Sequence, residues 1–288
     1  MKLTNCQRLR RVRNDAGAPT WLWGAAGDWL DLGAAGLGDN LEEAAAFLLT
    51  PDLFTDLLAA APALKGEADE WQLLQPGHPG KALAIGKNFL AHAREFGAET
   101  PDELVWFAKL PGCLSGPGCE VQIPAWLDSR VDHEAEVVLL VGAPLHNADL
   151  EGAAAAIAAY TLGNDITARK QQGLDRKREW PWLRSKNIAG FGPFGPEWTP
   201  ASSISNLSQL ELRGYVGDEL RQQASLADLL WEPANALVEI SRWCPLNPGD
   251  IVFMGTPAGV GPIQDGDLLR VEVDQLGCLH NPVRKLEN

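Results

Sequence analysis

The strongest hydrophobic pattern in the chain is Val137-Val138-Leu139-Leu140-Val141, closed by Gly142 and entered through Glu134-Ala135-Glu136. An uninterrupted apolar run this short, rich in β-branched residues, predicts a strand buried on both faces. Apolar and mixed patterns predict further strands at 21–23, 28–32, 81–86, 210–216, 251–254 and 268–273. Helices are expected at 41–49, 54–61, 150–160, 226–230 and 234–243, with the Ala-rich run 153–162 read as a core-facing helix. Gly- and Pro-rich turns separate these pieces, and no strand–helix–strand regularity links them. The pattern predicts an α+β fold dominated by mixed sheet.

The breaker cluster Gln75-Pro76-Gly77-His78-Pro79-Gly80 is the natural linker. It divides the chain into a small N-terminal α+β domain, 1–75, and a larger domain, 76–288. A length of 288 residues accommodates that division.

Composition narrows the function classes. The formal net charge of −14 disfavours nucleic acid and anionic membranes as partners, because both are bound through Lys and Arg. The five cysteines are scattered without a CxxC pair, which argues against a disulfide framework or zinc knuckle and fits a reducing cytoplasm. The two Gly-rich loops, 112–118 and 255–261, have neither phosphate-loop nor dinucleotide spacing.

The candidate chemistry begins with Glu134 and Glu136. Residues i and i+2 of a strand share a face, so two carboxylates would lie side by side. Such a pair is either a solvated strand end or the place of a hard divalent cation. Asp165, Arg169 and Gln172 are spaced i, i+4, i+7 and would share one face if their segment is helical. His92 and Glu95, at i and i+3, can touch on a helical turn; they are either a surface pair or a carboxylate-oriented general base. Thr256 lies on a Gly-rich turn after an apolar strand, where a hydroxyl and backbone N–H groups can meet a carboxylate.

In order along the chain, GKNFLAHAREFG, FAKLPGCLSGPG, DHEAEVVLLVG, NDITARKQQ, the 182–186 stretch with GPFGP, GDELRQ and NPGDIVFMGTPAGVG resemble the fumarylacetoacetate hydrolase family. The resemblance runs from about Ile85 to Gly277. It implies a mixed β-roll catalytic domain, commonly in a homodimer, with Mg²⁺ or Mn²⁺ held by Glu134, Glu136 and Asp165. It implies His92, Glu95 and Lys186 as catalytic residues, and Arg169, Gln172 and Thr256 as the residues that orient a 2-oxo or diketo acid. The expected activity is hydrolysis of a C–C bond in a 1,3-diketo acid of acylpyruvate or fumarylpyruvate type. The alternatives are a 2-oxo acid decarboxylase or isomerase, a 2-keto-3-deoxy sugar-acid dehydratase, and a non-catalytic metal or small-molecule binder. Phe89, Leu110, Lys170, Ala189 and Leu226 depart from the family pattern and bear on the substrate, leaving the metal ligands intact.

Overall fold

Alternation along the strand Ala135–Val141 sets the layering of the molecule. Val137, Leu139 and Val141 enter one apolar cluster, and Val138 and Leu140 enter another on the opposite face. Each such side chain removed from water contributes about 1.5–3 kcal/mol, so burial of both faces anchors this strand at the centre of the molecule. The computed structural model describes residues 7–25, 27–65, 71–89 and 102–287.

This strand lies within an 11-stranded sheet. The order is Ala63–Lys65, Asp28–Asp31, Pro19–Ala25, Arg8–Arg13, Gly192–Pro200, Ile157–Asn164, Ala135–Val141, Ile251–Phe253, Ala82–Gly86 and Val105–Lys109, with Leu114–Ser115 pairing off the path. Most neighbours are antiparallel, but Ile251–Phe253 runs parallel to Ala82–Gly86, so the sheet is mixed. The N-terminal strands join it where Leu9 pairs with Trp198, and Arg8 and Arg10 both reach the buried Glu197.

A second sheet of five strands, containing Glu211–Val216, Leu268–Val273 and Gly277–Lys285, closes one face. Its Leu212, Val271, Val273 and Leu279 share the cluster of Val137 and Leu139, together with Ala236, Leu237 and Ile240 of the helix Pro233–Trp243. The opposite face is covered by the helix Leu41–Leu49. Asn40 starts that helix by accepting a hydrogen bond from the Glu43 amide, and the Glu43 carboxylate accepts one from the Asn40 side chain. A three-stranded sheet of Thr167–Ala168, Val131–His133 and Gly261–Pro262 sits beside the end of the central strand. The whole is an α+β fold, as the pattern of elements predicts.

Three local expectations are corrected. The helix expected over 150–160 stops at Ala155, and Ile157–Asn164 is a fully buried strand paired with Ala135–Val141. Its alanines are small because Ala158 and Ala159 pack beneath the helix Leu41–Leu49, where larger side chains have no room. The helix expected over 226–230 is a single tight turn, Leu226–Asp228. The third concerns Asp165: the helix begins at Arg169, so Asp165 stands at the end of a strand and shares no helical face with Arg169.

Among the described residues Cys113, Cys119, Cys244 and Cys278 are free thiols, and no helix is long and apolar enough to cross a membrane.

Candidate active site

Three strand ends converge at one cavity. Glu134 occupies the joint between Val131–His133 and Ala135–Val141, Glu136 lies just inside the second strand, and Asp165 follows Ile157–Asn164. The antiparallel pairing that sets Ala135 opposite Asn164 brings the acids together, and the Asp165 amide donates to the Glu134 carbonyl at 2.9 Å. The Asn164 side chain accepts from the Glu134 amide at 2.8 Å, fixing the joint. One carboxylate oxygen from each of Glu134, Glu136 and Asp165 lies within 4.8 Å of the others, and all three residues are buried.

Such crowding is resolved partly by cations. Lys186 Nζ donates to Glu134 Oε2 at 2.7 Å and to Asp165 Oδ2. Burial alone would push the Lys186 ammonium down, but the charges of Asp165 and Glu134 outweigh it and hold the group above its ordinary value. Lys109 Nζ donates to Asp165 Oδ1 at 2.6 Å and to the carbonyls of Lys186 and Phe191, so every one of its protons has an acceptor. Among the described residues Glu136 has no ion pair of its own. Its Oε2 accepts the Gly255 amide at 2.8 Å, and burial, then Asp165 and Glu134, push its carboxyl well above the carboxylate range. Gly255 is required there: its φ is +88°, and a Cβ would lie 2.7 Å from that of Asn88.

Arg169 opens the helix Arg169–Lys177 and is pinned on three sides. It donates to Asp132 Oδ2 at 2.8 Å, to Glu134 Oε1 at 2.5 Å and to Gln172 Oε1 at 2.7 Å. The last contact engages the oxygen of the Gln172 amide, whose side chain lines the cavity. The Thr256 hydroxyl donates to the Ala135 carbonyl at 2.9 Å and accepts from Gln222 Nε2 at 2.7 Å. It therefore faces the cavity with a lone pair, its proton already committed.

Glu134, Glu136, Asp165, Arg169, Gln172, Lys186 and Thr256 all line one cavity of about 240 Å³, walled on its apolar side by Ile85, Phe107 and Trp182. Trp182 lies against Gly86, where a Cβ would come within 2.7 Å of the indole, and meets Phe107 edge-on. His92 and Glu95 lie outside the described residues.

Sequence reasoning missed Lys109, Asp132 and Gln222, which touch the site residues directly. Lys109 ends the strand Val105–Lys109 as its sole cation, and a lone Lys closing an apolar strand is the available signal. Asp132 and Gln222 carry no such mark, because their roles depend on which strands pair.

Three hard carboxylate oxygens converging in a buried, mutually repelling set suit Mg²⁺ or Mn²⁺, which prefer oxygen ligands. The fold and the site thus define an α+β protein whose strand ends build an acidic centre fit for a divalent cation beneath a small polar cavity. The model of the fumarylacetoacetate hydrolase C-terminal domain matches residues 81–284, and the chain belongs to the fumarylacetoacetate hydrolase family, whose members are enzymes that bind divalent metals. The chain is 34% identical over 208 residues to the oxaloacetate tautomerase YcgM of Escherichia coli, covering 71% of this chain and 93% of that one. Among solved structures it resembles a 5-carboxymethyl-2-hydroxymuconate delta-isomerase from Mycobacterium smegmatis, with 31% identity, a TM-score of 0.77 and coverage of 98% and 100%. It also resembles a maleylpyruvate hydrolase from Sphingobium in complex with manganese and pyruvate, with 25% identity, a TM-score of 0.79 and coverage of 97% and 100%.

Proposed function

We propose that this chain is a divalent-metal-dependent enzyme that moves a 2-oxo acid between its keto and enol forms, as in a tautomerase, isomerase or decarboxylase. One observation carries the reading: the buried Lys186 ammonium bridges Glu134 and Asp165 in the wall of the cavity and is held charged there. A fixed cation beside an acidic triad lowers the energy of an enolate oxygen that gains negative charge. A Mg²⁺ or Mn²⁺ held by Glu134, Glu136 and Asp165 would supply Lewis-acid polarisation of the 2-oxo group.

The chain's own residues do the rest. Arg169, already oriented by Asp132, and the amide of Gln172 orient the substrate carboxylate. Thr256 accepts a hydrogen bond from an enol hydroxyl. Phe107 and Trp182 keep bulk water from the carbon that gains or loses the proton. Lys186, charged and doubly bonded, stabilises the oxygen and does not act as the base. His92 and Glu95 are assigned to proton transfer at carbon.

The second reading is C–C hydrolysis of an acylpyruvate-type diketo acid, favoured by the His92–Glu95 spacing suited to activating water and by the likeness to the maleylpyruvate hydrolase. Turnover assays with Mg²⁺ or Mn²⁺ separate the two. Keto–enol exchange or carbon dioxide release from oxaloacetate, without cleavage of acetylpyruvate or fumarylpyruvate, is expected. Efficient cleavage of either diketo acid with no effect on oxaloacetate would overturn the first reading in favour of the second.

A further inference from the structure

The strand Val105–Lys109 ends the path of the 11-stranded sheet and has Ala82–Gly86 as its ladder partner among the described residues. Backbone groups on its outer edge need partners from elsewhere. Asn187 supplies them. Its Nδ2 donates to the Ala108 carbonyl at 3.1 Å, and its Oδ1 accepts from the Leu110 amide. One carboxamide thus takes the place of a neighbouring strand on both sides of Lys109, which requires a donor and an acceptor on the same planar group. Nδ2 also donates to the Leu183 carbonyl at 2.9 Å, one turn back in the short helix Leu183–Lys186.

The grip is reciprocal. Lys109 Nζ donates back to the carbonyl of Lys186, the residue before Asn187, at 2.8 Å. The two lysines meet again at Asp165, where Lys109 rests on Oδ1 at 2.6 Å and Lys186 on Oδ2. Two buried ammoniums repel, so the backbone that carries them has to fix their separation. That separation is the gap between a strand end and a helix end, and the Asn187 side chain spans it.

Among the described residues Asn187 bonds to none of the acids, and it does not line the cavity. We propose that Asn187 is a positioning residue. It holds Lys109 and Lys186 at the spacing that keeps one ammonium on each Asp165 oxygen, and so sets the Asp165 carboxylate against Glu134 and Glu136 for a divalent cation. The inference rests on the metal reading of the acidic triad and is independent of which reaction follows.

The test is calorimetric titration with Mn²⁺ of the metal-free full chain, unaltered and as Asn187→Ala, Lys109→Met and the double variant. Asn187→Ala weakens Mn²⁺ binding by about tenfold or more, the scale for residues that orient a metal ligand. The double variant loses no more than the more affected single variant, because both side chains act on Asp165 through one arrangement. Lys109→Arg, which keeps a cation beside Asp165, replaces Lys109→Met in the cycle if the latter does not fold. Asn206→Ala, which removes the cap of the turn Leu207–Gln209 away from the cavity, leaves Mn²⁺ affinity unchanged. At saturating Mn²⁺, Asn187→Ala lowers kcat and leaves KM, because Arg169 and Gln172 stand on another helix. Unchanged Mn²⁺ affinity in Asn187→Ala, or losses that add in the double variant, overturn the positioning role and leave the metal reading standing. An unaltered chain that binds no Mn²⁺ overturns both.

Discussion

Lys109 Nζ lies 2.6 Å from Asp165 Oδ1, joining residues 56 apart in sequence through an ammonium fully buried at the floor of the site. Removing Lys109 leaves the buried Asp165 with Lys186 as its cationic partner among the described residues, at a cost of up to about 3–5 kcal/mol. Lys109→Met is expected to lose that much in denaturant unfolding. It should also weaken Mn²⁺ binding, measured by calorimetry, by about tenfold or more, since residues that orient a ligand carry effects of that order. Unchanged metal affinity would mean that Lys109 supports the fold without positioning Asp165.

Glu136 makes the metal-free protein sensitive to pH. Its carboxyl is raised by burial and by Asp165 and Glu134, so the folded state holds a proton that the unfolded state has already released. Its contribution is fully present below the unfolded value and is lost as pH rises toward the folded one. In EDTA, stability should fall as pH rises above the ordinary carboxylate range, with a slope of up to roughly 1.4 kcal/mol per pH unit. Glu136→Gln should flatten the slope, and so should saturating Mg²⁺. A slope that persists in Glu136→Gln would place its origin elsewhere.

Asn88 ties the Gly86–Phe89 turn to Trp231 and Met254 through three side-chain hydrogen bonds. Asn88→Ala leaves buried backbone groups unpaired, each costing about 1–3 kcal/mol. The expected result is a loss of at least that amount in denaturant unfolding. A variant as stable as the parent would show that the turn is held by other contacts.

Gln222, within the strand Glu219–Ser225, ties together the ends of Val131–His133 and Ala135–Val141 and the turn after Ile251–Phe253. Its Oε1 accepts from the Ala135 amide at 2.9 Å and meets His133 Nδ1 at 3.0 Å, while Nε2 donates to Thr256 and to the Pro257 carbonyl. Gln222→Leu keeps the volume but frees the Thr256 lone pair and strands the Ala135 N–H. Activity should fall by about 10²-fold, as a small displacement of a positioning group allows. Mn²⁺ affinity should change less, since among the described residues Gln222 bonds to no carboxylate. Equal losses in both would show that Gln222 governs the metal ligands too.

Much of the site is legible in the chain. Glu134 and Glu136 are paired by strand alternation, and Val137–Val141 reads as a doubly buried strand because each residue is apolar. The strand Ile157–Asn164 was harder, for a definite reason. A strand buried on both faces has no alternation to separate it from a helix, and alanine has a high helix propensity. Only packing against Leu41–Leu49 and pairing with Ala135–Val141 decide the matter.

The same distinction divides the chemistry. The order of residues makes the chemical groups available: the acid pair, the Asp after the Ala-rich run, the Lys and Arg further on, and the Thr on its glycine turn. Folding in three dimensions sets Asp165 against Glu134 across a strand pair, brings Lys109 to it from another strand, and lets Asp132 pin Arg169. The physical reason is range. Alternation and helical pitch act over a few residues, whereas a charge is satisfied by whatever lies within a few ångströms, however distant along the chain.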